Sequence, residues 1–293
     1  MAGESVEKIK KNVYVTKFDG SRQPFERRKV VRTCVRMGAS EEAANEIVDR
    51  IEGSLYDGIR TKIILRMVFK YMKKYKPEIG HQIDLRSAIS LLRSKPDFER
   101  FVALLLEEQG YSVETNQFVE GECITHEVDA IAVKGKEIVY VEVKHHDAPH
   151  TYTGVEVALE TYARFLDMQA GCKIGKNKIC FTRAALVCNT KLSDAAEHYA
   201  DHKNILHIGW NSPKDRGLEM LVTEHKLYPI TLLKGMDKDT AIRLADHGVI
   251  LLKQLVCADE ERLSERSGVP KTRLKDLTAK AEEILKGSKS KSF

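Results

Sequence analysis

Residues 128–144 constrain this chain more than any other stretch. Val128-Asp129-Ala130-Ile131-Ala132-Val133 is an apolar run holding one carboxylate. Lys134-Gly135-Lys136 reads as a turn. Ile138-Val139-Tyr140-Val141-Glu142-Val143-Lys144 is a second apolar run that ends in charge. Short runs rich in Val, Ile and Tyr on either side of a glycine predict two strands of a buried hairpin. Strand side chains alternate between faces, so Ile138, Tyr140, Glu142 and Lys144 share one face and Val139, Val141 and Val143 the other. Asp129 lies 13 residues before Glu142, and a fold at Gly135 brings the two carboxylates together. They repel unless a cation joins them. Hard oxygen ligands suit Mg²⁺ or Mn²⁺. Lys144 beside them can position a water and balance a phosphodiester. The competing reading is an ordinary charge pair at a strand end.

The chain around this hairpin is 293 residues long and 42% hydrophobic, with formal net charge +5. That suits two or three domains with real cores and excludes a wholly disordered chain. No apolar run approaches the ~20 residues of a membrane-spanning helix, so no membrane association is expected. Ala2–Ser5 carry no apolar signal segment behind a basic start. The six cysteines are scattered without a CxxC pair, which argues against a zinc ribbon and a disulfide scaffold and for a reduced, cytoplasmic setting. Charge is uneven: +9 over 1–95, −7 over 96–230 and +3 over 231–293. An acidic middle can hold metal carboxylates, and basic flanks can hold polyphosphate or nucleic acid. Breaks at Lys95-Pro96-Asp97, with Asp97 as a helix cap, and at Tyr228-Pro229 follow the same lines. They divide the chain into 1–95, 96–230 and 231–286, with a low-complexity tail over 287–293.

The middle segment resembles the PD-(D/E)xK nucleases, the restriction-endonuclease-like fold, and most closely their Mrr-type branch. The matching parts are the helix with Glu99, Gly110-Tyr111, Asp129-Ala130-Ile131 and Glu142-Val143-Lys144. A helix over 154–168, a strand over 184–188, a helix over 193–200 and a strand over 205–208 complete an αβββαβαβ order. The resemblance implies an α/β domain with a mixed sheet flanked by helices. It implies that Asp129, Glu142 and the Val143 carbonyl bind metal, that Lys144 orients water, and that Glu99 adds a ligand or a water contact. It favours a basic group after the triplet, for which His146 is the candidate among His126, His145, His146 and His150. Arg164 is a possible phosphate contact, whereas Tyr162 and Trp210 read as core.

Residues 12–95 read as a hairpin turning at Asp19-Gly20, then helices over 27–37, 41–55, 61–74 and 81–92, with Thr61 as an N-cap. Val15-Thr16-Lys17-Phe18-Asp19-Gly20, Pro24-Phe25, Lys29-Val30 and Tyr56-Asp57-Gly58-Ile59-Arg60-Thr61 resemble the ATP-cone, a mainly helical nucleotide-sensing domain. The resemblance implies ATP or dATP as effector, contacted at Val15, Lys17, Lys29 and Thr61. It departs from the family at Phe18, where a basic residue is usual, and at Leu65, where some members carry histidine. An ATP-cone fold that only dimerises or binds DNA is the alternative.

Residues 231–286 read as helix, tight turn, helix, twice over: Leu232–Met236 with Ala241–Leu244, and Leu263 with Ser267–Pro270 and Arg273–Leu277. They resemble an all-α pair of helix-hairpin-helix motifs, with one glycine kept at each hairpin (Gly235 and Gly268). The resemblance implies contacts to DNA phosphate, best placed at Lys271, Arg273 and Lys275; a purely structural or dimerising helical domain is the other reading. Together the parts predict an Mg²⁺-dependent DNA endonuclease regulated by ATP or dATP and acting as a homodimer or higher oligomer. RNA is an alternative substrate. A non-catalytic, nucleotide-responsive DNA-binding regulator is the alternative function. The combination resembles archaeal proteins.

Overall fold

Gly135 does what the sequence asks of it: at φ +61° it turns the chain, and the strands on either side pair antiparallel. The computed structural model describes residues 13–287; the expectations for Ala2–Ser5 and for the tail beyond Gly287 lie outside them. The chain forms two compact units, Met1–His81 and Gln82–Phe293.

In the first unit β1 (Tyr14–Thr16) pairs antiparallel with β2 (Arg22–Pro24), with α1 (Arg27–Arg36) and α2 (Glu41–Glu52) following. Then β3 (Ile59–Arg60) lies parallel to β1 and leads into α3 (Thr61–Met72). Val15, Val30, Cys34, Ile47, Ile59 and Val68 are part of its core. Ser40 caps α2 through Ala43 N–H. Thr61 is not a cap: it is the first helical residue, the extended cap position is Arg60, and no side chain bonds there.

The unit boundary falls at residues 81/82 rather than 95/96. The fourth expected helix is shorter, α4 (Leu85–Ser90), and is capped by Asp84. It belongs to the second unit because its apolar face, Ala88 and Ile89, enters that core. Two hydrogen bonds fix it: Ile83 N–H donates to the Leu232 carbonyl at 2.9 Å, and Thr231 Oγ1 donates to the Ala88 carbonyl at 2.7 Å.

A π turn at Ser94–Phe98 leads into α5 (Glu99–Glu108). Asp97 does not cap α5: Arg93 binds both its carboxylate oxygens, at 2.7 and 2.8 Å. Next come β4 (Ser112–Glu120), β5 (Thr125–Lys134), β6 (Glu137–Lys144), the short β7 (Tyr152–Thr153) and α6 (Val155–Lys173). They are followed by β8 (Arg183–Cys188), the short β9 (Lys191–Leu192), α7 (Asp194–His202) and β10 (Leu206–Ile208). The main sheet runs β10-β8-β6-β5-β4, with β4, β5 and β6 antiparallel and β6, β8 and β10 parallel. Helices cover both faces, which is why β6 and β8 are apolar almost throughout. One face packs Val139, Val141, Ala185 and Val187 against α5. The other packs Tyr140, Leu186 and Ile131 against Phe165 and Met168 of α6 and Ala196 of α7. This is the mixed, helix-flanked sheet that the resemblance implied. The β7–β9 pair was not anticipated, nor was a disulfide between Cys172 and Cys180.

The remaining helices are α8 (Leu218–Glu224), α9 (Lys238–Asp246), α10 (Leu252–Cys257), α11 (Glu260–Ser267) and α12 (Lys271–Gly287). The helix expected over 232–236 is a single 3-10 turn at Ile230–Leu232. Asp237 caps α9 through Thr240 N–H at 2.8 Å. Leu244, Leu252, Leu274 and Ile284 share one continuous core with α5 and the sheet, so this segment is not set apart from the α/β core. Among the described residues no helix is long and apolar enough to cross a membrane.

Candidate active site

The β5–β6 ladder pairs Ala130 with Val141 and Ile131 with Tyr140. The ladder ends there, and Asp129 and Glu142 are the next residue on each strand. The Val143 N–H donates to Asp129 Oδ2 at 2.9 Å, so the Asp129 carboxylate lies against the backbone of the Glu142-Val143-Lys144 triplet. The triplet stands on a central strand, paired on its other edge with Leu186, Val187 and Cys188 of β8.

β5 departs from strict alternation here. Val128 and Ile131 both enter the core on the α6 side, whereas Ala130 and Ala132 enter the other. A regular strand would put residues three apart on opposite faces. On β4, Asn116, between the residues paired with Ala130 and Val128, takes φ +55° and interrupts the ladder. Asp129, left out of both ladders at this break, reaches the segment just ahead of α5. There Lys95 Nζ lies 3.3 Å from Asp129 Oδ1, 3.1 Å from Glu99 Oε1 and 2.8 Å from Glu127 Oε1.

Glu142 meets groups on the α6 side. The Tyr140 hydroxyl donates to its Oε2, and Arg164 Nη1 stands 3.5 Å from the same oxygen. Burial pushes the Glu142 carboxyl above the usual carboxylate range; the Tyr140 hydrogen bond opposes this, and the charge of Asp129 adds to it. Glu99 is 4% exposed and is likewise pushed up by burial, against the pull of Lys95 and with the push of Asp129. Asp129 is thus the carboxylate felt by both neighbours. Lys144 is exposed at the end of β6.

The histidines do not gather. His126 meets Asp167 of α6 at 2.7 Å. His145 packs against Phe98 and reaches the Ile89 carbonyl at 3.3 Å. His146 meets the Thr153 hydroxyl at 3.2 Å, and Asn189 clamps its backbone N–H and carbonyl, both at 2.8 Å. His150 faces Arg86. Arg164 is committed to Glu142 and to Glu160, at 2.6 Å. Tyr162 packs beside Phe165 and Tyr199, and Trp210 is buried under the Arg86 guanidinium. Asn189 and Lys95 were missed by the sequence reading. Nothing local marks Asn189, and Lys95, extended at φ −121° and ψ 136° ahead of α5, lies outside the reach of helix spacing.

The other expected residues lie apart from this cluster. In the first unit Val15 is buried, Lys17 is exposed, Lys29 pairs with Glu26 at 2.6 Å and Thr61 begins α3. A cavity of about 490 Å³ in that unit is lined by Arg27, Arg28, Arg32 and Arg36 among others, and by none of those four. In the second unit Lys271 pairs with Glu261. Arg273 donates to the Gly235 carbonyl at 2.5 Å and stands 3.8 Å from Asp237. Lys275 is exposed on α12.

The donor set suits a hard divalent ion in one way only. Among the described residues no three His, Cys, Asp or Glu side chains are grouped to ligate a metal. Asp129, Glu142 and the Val143 carbonyl offer oxygen donors alone, the kind that Mg²⁺ or Mn²⁺ would take. Glu99 Oε2 is buried with no hydrogen-bond partner, an oxygen that calls for positive charge nearby.

Residues 93–208 match a family model described as Restriction endonuclease (Mrr_cat), and residues 228–285 match one described as AF1548-like, C-terminal. An uncharacterized protein of Archaeoglobus fulgidus is 36% identical over 184 residues, which cover 63% of this chain and 99% of that protein. A crystal structure titled as a protein of unknown function, AF1548, aligns with TM-score 0.55 at 36% identity and covers 64% of this chain and 97% of the other. With both matched segments in order on one shared core, this chain belongs to the AF1548-like family, a restriction-endonuclease domain continued by an AF1548-like C-terminal segment.

Proposed function

We propose that this chain is a divalent-cation-dependent deoxyribonuclease whose chemistry is carried by Asp129, Glu142 and Lys144. The observation that carries the reading is that the Asp129 carboxylate accepts the Val143 N–H, in the middle of the Glu142-Val143-Lys144 triplet, inside a segment matching a restriction-endonuclease family model. Asp129, Glu142 and the Val143 carbonyl would hold Mg²⁺ or Mn²⁺. Such an ion lowers the pKa of a bound water and offsets charge at the phosphorus and the leaving oxygen. Asp129 is oriented for this by the β6 backbone, and Glu142 by Tyr140 and Arg164. Lys144 balances the phosphodiester and orients the attacking water. Glu99 and His146 stand behind these groups: Glu99 through Lys95 and Asp129, His146 through its Asn189 clamp on the chain leaving the triplet.

The first unit is our candidate nucleotide sensor. Its hairpin-and-helix make-up and its exposed Lys17 and Lys29 support an ATP-cone that takes ATP or dATP near Val15, Lys17, Lys29 and Thr61. Lys271, Arg273 and Lys275 would add contacts to DNA phosphate in the manner of a helix-hairpin-helix. Nucleotide binding would bias a homodimer or higher oligomer and so the access of DNA.

A second reading has its own support. Glu142 is already satisfied by Tyr140 and Arg164, which suits a nuclease fold retained as the scaffold of a nucleotide-responsive DNA-binding regulator. One experiment separates the two. Supercoiled, linear and single-stranded DNA and RNA are incubated with Mg²⁺ or Mn²⁺, each without nucleotide, with ATP and with dATP, alongside Glu142→Ala. The nuclease reading expects cleavage that disappears in the variant. DNA binding without cleavage on any substrate favours the regulator.

A further inference from the structure

Lys95 is the centre of a cluster that includes two carboxylates of the nuclease reading, Asp129 and Glu99. Its ammonium lies within 3.3 Å of three carboxylates, Glu99 on α5 and Glu127 and Asp129 on β5. Two of the three are buried, Glu99 at 4% and Asp129 at 8% exposure. The second oxygen of Glu99, Oε2, is buried and has no hydrogen-bond partner. A buried carboxylate in that condition is costly unless positive charge stands close by, and Lys95 is the cation that stands there.

Asp129 divides its two oxygens. Oδ2 takes the Val143 N–H on the β6 side, and Oδ1 faces Lys95 on the α5 side. Phosphodiesterase sites work with one metal ion or with two placed about 3.5–4 Å apart and sharing ligands. A second ion here would have to lie between Asp129 and Glu99, the position that Lys95 Nζ holds. The spacing also suits an ammonium: oxygens at 2.8, 3.1 and 3.3 Å from one point surround a larger cation than Mg²⁺, which needs about 2.0–2.1 Å.

We infer that Lys95 supplies the second positive charge of this site, so that one divalent ion, at Asp129 and Glu142, binds per chain. The inference rests on the metal-dependent reading given above and assigns Lys95 as a positioning residue of the same site. It is tested by counting Mn²⁺ ions bound to the full chain, by calorimetry and by the loss of the free-Mn²⁺ electron paramagnetic resonance signal. The wild type is expected to bind one ion. Lys95→Gln, which keeps the stem and removes the charge, is expected to bind two, and Lys95→Gln with Glu99→Gln to return to one. Lys95→Arg is expected to stay at one. Two ions on the wild type would overturn the inference and leave the metal-dependent reading standing, and this count does not depend on any variant folding. One ion on a folded Lys95→Gln, at unchanged affinity, would also overturn it. No ion on the wild type would overturn the metal-dependent reading and the inference with it.

Discussion

Replacing Arg93 by alanine should weaken the whole second unit. The Arg93 guanidinium makes two hydrogen bonds to Asp97, at 2.7 and 2.8 Å, and a third to Asp246 at the end of α9, at 2.6 Å. The Asp97 side chain is only 5% exposed, that of Asp246 53%. Truncating Arg93 leaves the Asp97 carboxylate in the interior without its cation, which costs about 3–5 kcal/mol. The exposed Asp246 arm adds about 0–1 kcal/mol. For a unit of some 200 residues each kcal/mol moves Tm by about 2–4 °C, so the loss should be about 6–24 °C. Thermal unfolding of the full chain, followed by circular dichroism, measures it. Asp97→Asn should cost less than Arg93→Ala, because it leaves no buried charge. Arg93→Met with Asp97→Leu should recover most of the loss, since the pair is then replaced by apolar packing. A fall in Tm of less than about 3 °C, or simple additivity of the two single changes, would refute the reasoning.

Glu142→Gln should change how stability depends on pH when divalent ions are absent. The folded pKa of Glu142 is raised, chiefly by burial, so the folded state binds its proton more tightly. The stability this brings is complete below the unfolded value and is lost as pH rises through the folded one. Gln stays neutral, so the variant should melt above the wild type near pH 8, with the gap closing toward about pH 4.5; a gap independent of pH would contradict the cause assigned. Gly171→Ala should destabilise by about 1–3 kcal/mol, because a Cβ there would lie 2.6 Å from the Glu120 carbonyl and 2.7 Å from the Gly121 carbonyl carbon. Denaturant unfolding reads this loss, and an unchanged midpoint would show that the approach of α6 to the end of β4 is not tight.

The hairpin at the centre of the site was legible because it is a local object. Two apolar runs and one glycine define it, and period-two alternation put Tyr140 and Glu142 on one face and Val141 on the other, as the two cores have them. The order of the following elements was legible for the same reason, since each carries its own apolar period. What escaped depends on distant partners. Asn116 on the neighbouring strand breaks the alternation of β5, so the direction of Asp129 could not be read from β5 itself. The histidines after Lys144 looked like a cluster because they are close in sequence, but Ile89, Thr153 and Arg86 draw them apart. Thr61 and Asp97 both had cap-like identities. Arg60 holds the extended cap position in one case, and in the other the charge of Arg93 outcompetes the helix end for the carboxylate. The assignment of α4 was illegible because its partners, Thr231 and Leu232, lie about 140 residues further on.

The central claim is that Asp129 and Glu142 act as a pair in phosphodiester hydrolysis. Its most direct measurement is the single-turnover cleavage rate of one DNA substrate in saturating Mg²⁺, compared among wild type, Asp129→Asn and Glu142→Ala at matched DNA occupancy. The account predicts a wild-type rate that falls by about a hundredfold or more in each variant, with DNA affinity retained and no further loss when the changes are combined. Cleavage by either variant at the wild-type rate, or none by the wild type with DNA bound, would contradict it.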